Sequence, residues 1–352
     1  MISVCLIVKD ECEHLRKCLE SLARWPFEVV VTDTGSTDDT IRMAKEYTDK
    51  VYQYAWTDDF SAARNYCISK ANNDYILVLD ADESVTELNY ESLVQLVRSH
   101  PNEVGRIERI NLLQQGTEQE RQRECISRLF NRNIYAYHGR IHEQIAPIGE
   151  SDTRMAVPTY LLPLQIEHTG YYGSEDSLRE KAQRNIRLLK RQLEEGEDPY
   201  ILYQIGKSYY MMHEYETACE WFERATTYDL DPKLEYVCDM ILAYGYVLLE
   251  LKQYEKALGF ESIYQEFSYT SDFQFLMGLI YMNNAEFELA IQEFLKATKQ
   301  TNWMVEGTNS FKAFYNIGVI YECLGHMDQA KSYYARCGSY QLAQQRIQSI
   351  HE

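Results

Sequence analysis

Residues 75–83 read YILVLDADE. Five apolar or aromatic side chains in a row suit a short strand buried on both faces. The chain then turns acidic at once, with Asp80, Ala81, Asp82 and Glu83. The same grammar repeats upstream. Residues 2–8 (ISVCLIV) predict a first strand, and residues 12–24 carry Leu15, Cys18, Leu19 and Leu22 at helical spacing. Residues 27–32 (FEVVVT) predict a second strand. A helix over 37–47 follows, introduced by the turn-and-cap run TGSTDD at 34–39. A short third strand is expected over 51–56 and a helix over 60–70. Strand and helix alternating in this way predict an open, mostly parallel, Rossmann-like α/β sheet. Such sheets bind ligands beyond the carboxyl ends of their strands. The acidic residues fall there: Asp10 and Glu11 after the first strand, Asp33 after the second, Asp80 and Asp82 after YILVL.

Further along, residues 104–148 carry VGRIERINLL, the polar run QQGTEQERQR, ECISRLFNRN and YAYHGRIHEQI. They read as strands with hairpin-like links, and residues 158–168 (PTYLLPLQIEH) as one more strand. The first domain is expected to close near Tyr172, giving residues 1–172. A connecting helix lies within 173–198, and residues 199–352 are helical and repetitive. There, Gly206, Gly245, Gly278 and Gly318 each precede an alanine by 12 residues: Ala218, Ala257, Ala290 and Ala330. Tyr215, Tyr254, Phe287 or Met327 stands three residues before each alanine. Small residues let two antiparallel helices approach closely. The pattern resembles the tetratricopeptide repeat, whose period is about 34 residues. The unit spacings here are 39, 33 and 40, so irregular loops are expected in the longer units.

Bulk properties narrow the function. The formal net charge of the 352 residues is -19, which disfavours nucleic acid and anionic lipid, although residues 121–140 are locally basic. Nine scattered cysteines include no CxxC, so neither a zinc site nor a disulfide framework is expected, and a reduced, cytoplasmic compartment fits. The N-terminal apolar run has no basic lead and reads as a strand, not a signal peptide. No apolar run is long enough for a membrane span. Of the 29 tyrosines, many fall at helical spacing in the repeats and read as core or groove lining. Trp56 is expected to pack on the third strand, and Trp25 with Pro26 to end the first helix.

An Asp-x-Asp triplet alone is weak, because such triplets also make ordinary solvated turns. At a strand end, two carboxylates one residue apart can grip a ribose hydroxyl and a divalent cation. Its context is more specific. VVVTDTGSTDDT (29–40), WTDDFSAARN (56–65), ILVLDADE (76–83) and RLFNRN…GRIHEQI (128–145), in this order, resemble glycosyltransferase family 2. The resemblance covers roughly residues 2–172 and implies the nucleotide-binding GT-A fold and, usually, inverting transfer. The subgroup most resembled carries C-terminal tetratricopeptide repeats and includes bacterial peptide S-glycosyltransferases.

The resemblance implies roles residue by residue. Asp33 hydrogen-bonds the pyrimidine of the donor, with residues 34–37 shaping that wall. Arg64 lies over the nucleotide or diphosphate, and Asn65 braces the loop. Asp80 contacts ribose or metal, Asp82 ligates Mn²⁺ or Mg²⁺, and Ala81 lies between them. Glu11 matches the family's Lys-Asn-Glu segment, whereas Asp10 replaces its asparagine. Glu143 is the base, as against a carboxylate tied up by a nearby arginine. His138, His142 and His168 lie in the acceptor-side segments. Taken singly, each is first a histidine satisfied within the structure. As a third metal ligand, neutral imidazole suits Mn²⁺, with His168 preferred and His142 as alternate.

The leading expectation is therefore an inverting hexosyltransferase using a UDP-sugar, with the helical repeats holding a peptide or protein acceptor. A transferase acting on an envelope glycan or lipid-linked acceptor is the alternative. A non-catalytic repeat scaffold is the alternative of another class, and a homo-oligomer is left open.

Overall fold

The computed structural model describes residues 1–115, 118–149, 157–170 and 175–350, so the expected domain end at Tyr172 lies outside the described residues. Two compact units emerge, Met1–Ser177 and Leu178–Glu352.

The first unit is built on an eight-stranded sheet in the order β3-β2-β1-β4-β7-β6-β10-β5. Its strands are β1 (Ile2–Val8), β2 (Glu28–Asp33), β3 (Val51–Gln53), β4 (Tyr75–Val78), β5 (Glu83–Leu88), β6 (Val104–Gln115), β7 (Glu118–Asn131) and β10 (Thr159–His168). A separate hairpin pairs β8 (Tyr135–His138) with β9 (Gln144–Pro147). The helices are α1 (Cys12–Leu22), α2 (Thr40–Ala44), α3 (Phe60–Ser69) and α4 (Tyr90–Ser99).

The expected parallel alternation is present in β3, β2, β1 and β4. Beyond β4 the sheet is mixed: β7 is antiparallel to both β4 and β6, and β10 is parallel to β6 but antiparallel to β5. The hairpin from β6 into β7 reverses the chain, which makes β7 antiparallel to both β6 and β4. β5 and α4 carried no expectation from sequence. β3 stops at Gln53, and Trp56 packs edge-on against Phe60 at 4.8 Å rather than on that strand. Trp25 stacks on Tyr90 at 6.2 Å. α2 is shorter than the expected 37–47, because Thr37 and Asp38 donate their backbone N–H groups to Asp10 Oδ1 and are held in the preceding turn.

Alternation along the central strands divides the core between two faces. Val4, Leu6, Leu77 and Leu79 face a cluster with Leu15, Leu19 and Leu22 of α1, Met43 of α2 and Leu93 of α4. Cys5, Ile76 and Val78 face the other way, against Cys67 and Ile68 of α3 and Phe130, Tyr135 and Tyr137. Burial of each large side chain contributes roughly 1.5–3 kcal/mol. The layering also serves the site. β2, β1 and β4 are adjacent and parallel, so Asp33, Asp10 and Asp80 emerge side by side at one edge of the sheet.

The second unit begins with α5 (Glu175–Glu195), which crosses the division between units. Four helical hairpins then place each glycine on the first helix and each alanine on the second. They are α6 (Pro199–Met211) with α7 (Tyr215–Ala225), and α8 (Glu235–Glu250) with α9 (Tyr254–Ala257). The others are α11 (Ser271–Asn283) with α12 (Phe287–Ala297), and α13 (Phe311–Cys323) with α14 (Met327–Ala335). α15 (Gln341–Ser349) follows. The notch of Gly206 is filled by Phe222, that of Gly278 by Phe294 and that of Gly318 by Tyr334. In the second hairpin the equivalent position is Glu261, and Gly245 meets Leu276 instead. The second helix of that hairpin is also irregular. After α9 it continues as a 3₁₀ turn over Leu258–Ile263, then as α10 (Tyr264–Phe267).

Candidate active site

α3 starts cleanly because Asp59 caps it, accepting from the Ala62 N–H at 2.9 Å. Its inward face carries Ala63, Arg64, Cys67 and Ile68. One residue on, Asn65 grips β8 at both backbone polar groups of one residue: Nδ2 donates to the Tyr137 carbonyl at 2.8 Å, and Oδ1 accepts from the Tyr137 N–H at 3.1 Å. The expected bracing role of Asn65 thus has a concrete form, and it fixes Arg64 relative to the hairpin that carries Glu143.

Arg64 is only 7% exposed. Its Nη2 donates to Asp80 Oδ1 at 2.7 Å, and its Nε donates to Glu143. One guanidinium therefore joins the carboxylates of Asp80 and Glu143. Burial alone would lower the Arg64 pKa, but Asp80 and Glu143 outweigh it and raise it. Asp80 has a second cation: Arg128 Nη2 donates to Asp80 Oδ2 at 2.7 Å and to Glu83 Oε1 at 2.9 Å. Burial penalises the Asp80 charge, but Arg128 and then Arg64 win, holding the carboxyl well below its usual range.

Arg128 had no role in the sequence reading. Pairing of β6 with β7 steps from Gly105↔Leu129 to Arg106↔Ser127, which leaves Arg128 as the extra residue of a bulge. β7 also runs antiparallel to β4, so the residue after Leu129 in the direction of Asp80 is Arg128. The signal in the sequence was a charged residue inside the apolar run ISRLF. Glu83 is fully buried and stitches the turn, accepting from the Asp80 N–H at 2.9 Å and from Arg109 at 3.1 Å.

Asp82 lies on the other side of the turn. The Thr169 N–H donates to its carbonyl at 3.0 Å, which draws the end of β10 to the triplet. His168 Nε2 then faces Asp82 Oδ2 at 3.4 Å. His168 Nδ1 meets Asn111 Oδ1 at 2.7 Å, while Asn111 Nδ2 donates to Glu124. That orientation of the amide sets its oxygen to accept from Nδ1, and Nε2 is the ring nitrogen turned to Asp82. A Cβ on Gly170 would overlap both Asp82 Oδ2 and His168 Nε2, so the glycine keeps this space open. Among the described residues no three His, Cys, Asp or Glu side chains form a metal-binding group, so His142 does not join Asp82 and His168. Asp82 and His168 are the pair that could contribute ligands to a divalent cation here.

Other expected residues have local partners. Asp33, 2% exposed, spends its carboxylate on the backbone N–H groups of Gly35 (2.9 Å) and Ser36 (3.1 Å), shaping the wall over residues 34–37. Glu11 Oε2 meets His14 Nδ1 at 2.7 Å, and its N–H donates to Thr40. Asp10, at φ 53°, accepts from Thr37 and Asp38, and those hydrogen bonds lower its pKa. His142 is also left-handed, at φ 50°, beside Glu143. Strained backbone of this kind concentrates at binding sites. No helix among the described residues is long and apolar enough to cross a membrane.

Residues 3–153 match the family model described as glycosyl transferase family 2, and residues 271–301 and 311–341 match the tetratricopeptide repeat. A TPR repeat-containing protein of Synechococcus elongatus is 31% identical over 259 residues, 72% of this chain and 62% of that one. The SPbeta prophage-derived glycosyltransferase SunS of Bacillus subtilis is 28% identical over 228 residues, 62% of this chain and 52% of its own length. The lipopolysaccharide core biosynthesis glycosyltransferase LpsC of Rhizobium meliloti is 29% identical over 157 residues, 42% of this chain and 58% of its own. The chain thus spans less than two thirds of the length of each of these relatives.

Proposed function

We propose that the chain is an inverting glycosyltransferase moving a sugar from a UDP-sugar to a peptide or protein side chain, a reading supported by the match of residues 3–153 to glycosyl transferase family 2 and by the tetratricopeptide repeats that follow. The observation that carries this reading is the Arg64 bridge between Asp80 and Glu143. It holds the Asp80 and Glu143 carboxylates on neighbouring nitrogens of one guanidinium, which sets the proposed base beside the acidic triplet.

In this mechanism Arg64 and Arg128 supply positive charge where the diphosphate gathers negative charge on departure. Asp82 and His168 are the residues that would hold Mn²⁺ or Mg²⁺, whose chemistry is to neutralise the leaving diphosphate. Glu143 takes the proton of the acceptor side chain as it attacks the anomeric carbon. The repeats hold the acceptor, since arrays of helical hairpins present extended binding surfaces.

The test is UDP release from a panel of UDP-sugars with Mn²⁺, with and without EDTA, and with and without a peptide acceptor. Release that needs metal and rises with peptide supports the reading. No release and no calorimetric UDP binding would sink it. A second reading, transfer to an envelope glycan, is favoured by the likeness to LpsC. It predicts release stimulated by a core oligosaccharide and not by peptide.

A further inference from the structure

The site contains polar atoms that its own hydrogen bonds leave over. Among the described residues, Arg64 Nη1 and the Tyr137 hydroxyl are buried without a hydrogen-bond partner. The other nitrogens of Arg64 used above are committed to Asp80 and Glu143, so Nη1 is the end of that side chain still available to a ligand. Tyr137 is 5% exposed, and the Arg64 guanidinium carbon lies 5.6 Å from its ring centroid. Buried polar groups without partners are uncommon in folded proteins, because nothing offsets the loss of their hydration. Of these two, one belongs to the guanidinium that holds Asp80 and Glu143 and the other to the ring beside it, and together they mark a place where a partner is supplied from outside.

The chemistry of that partner follows from the atoms. Arg64 can only donate. Burial pushes the Tyr137 hydroxyl up to about 12, with Glu143 and Asp80 adding to the rise against Arg128 and Arg64, so it stays protonated at neutral pH and also donates. Two donors, one of them a guanidinium, with Arg128 as a further positive charge, call for an acceptor oxygen carrying negative charge. Resting on the donor reading above, we propose that Tyr137 is a diphosphate-binding residue, its hydroxyl and Arg64 Nη1 together receiving an oxygen of the leaving UDP. The fold aims it with care: both backbone polar groups of Tyr137 are clamped by Asn65, and its ring packs edge-on against Phe130 at 5.6 Å.

Tyr137→Phe removes only the hydroxyl and keeps the ring beneath Arg64. Calorimetry on the full chain with Mn²⁺ compares UDP with uridine, alongside a thermal melt. The expected result is UDP binding weaker by about ten- to a hundred-fold, the worth of a hydrogen bond to a charged group. Uridine binding and the melting temperature should not fall. Equal UDP affinity in both proteins overturns the inference and assigns the hydroxyl to an internal water. An equal loss for uridine and UDP also overturns it, because the hydroxyl would then serve the nucleoside or the fold. Wild-type protein that binds no UDP overturns the donor reading itself, which is a separate outcome.

Discussion

Arg64 and Asp80, 16 residues apart in sequence, meet at 2.7 Å, while Arg128, 48 residues beyond Asp80, meets its other oxygen at the same distance. The first aspartate of the triplet is therefore a counter-ion for two buried guanidinium groups before any ligand is considered. Several consequences can be measured.

Asp80→Asn leaves Arg64 and Arg128 short of a negative charge in a buried setting. Breaking a buried pair from one side costs about 3–5 kcal/mol. Denaturant unfolding of the variant should show a loss of that order at neutral pH. A change under about 1 kcal/mol would mean that solvent screens the network.

The same pair sets a pH dependence. The folded pKa of Asp80 is depressed below the usual 3.8, so its stabilisation is present above 3.8 and is lost as pH falls through the lower folded value. Wild type and Asp80→Asn should therefore differ in melting temperature by a constant amount at pH 5–7 and converge at more acid pH. A gap that closes between pH 7 and 5 would point to another group.

Glu143→Gln keeps the shape of the side chain but removes the base. Transfer should fall by about 10² to 10⁴-fold, while UDP binding by calorimetry is spared. Full transfer by this variant refutes the assignment.

Asn111→Ala releases His168 Nδ1 without touching Asp82 or His168. Loss of an outer partner of a metal ligand costs roughly 10–100-fold in metal affinity. The Mn²⁺ concentration for half-maximal UDP release should rise by that factor. An unchanged requirement would remove His168 from the metal site.

Gly278→Ala would place a Cβ 2.6 Å from Phe294 Cε1, a fully buried ring. Overpacking of this kind costs about 1–3 kcal/mol. Adding Phe294→Leu should recover part of the loss in the same thermal melt. Equal destabilisation by the single and double variants would show that helix propensity, not the notch, is at stake.

Much of the first unit was legible because its strands alternate or run apolar and its helices show regular spacing. The ends of elements were less so. α2 began three residues later than the periodicity suggested, because Asp10, from a distant loop, competes for the N–H groups of Thr37 and Asp38. β5 and α4 went unseen, since residues 83–88 (ESVTEL) mix charge with β-branched residues and complete their burial only against β10.

The repeats were read from four glycine–alanine pairs, a local signal that needs no long-range contact. Their exception was not predicted residue by residue. Glu261 at an aromatic position changes what faces Gly245, and only the packing of Leu276 reveals the substitute.

By itself the sequence determined the class of both units and the acidic groups at the strand ends, because periodicity and strand-end position are properties of neighbouring residues. It also pointed to Arg64 and Glu143, but only through resemblance. Tertiary structure alone decided that these two touch, that Arg128 completes the Asp80 pair, and that His168 rather than His142 faces Asp82. The reason is physical. An antiparallel register, a bulge and one shared hydrogen bond at the end of β10 bring together residues 16 to 86 positions apart, and no local pattern encodes the distance between them.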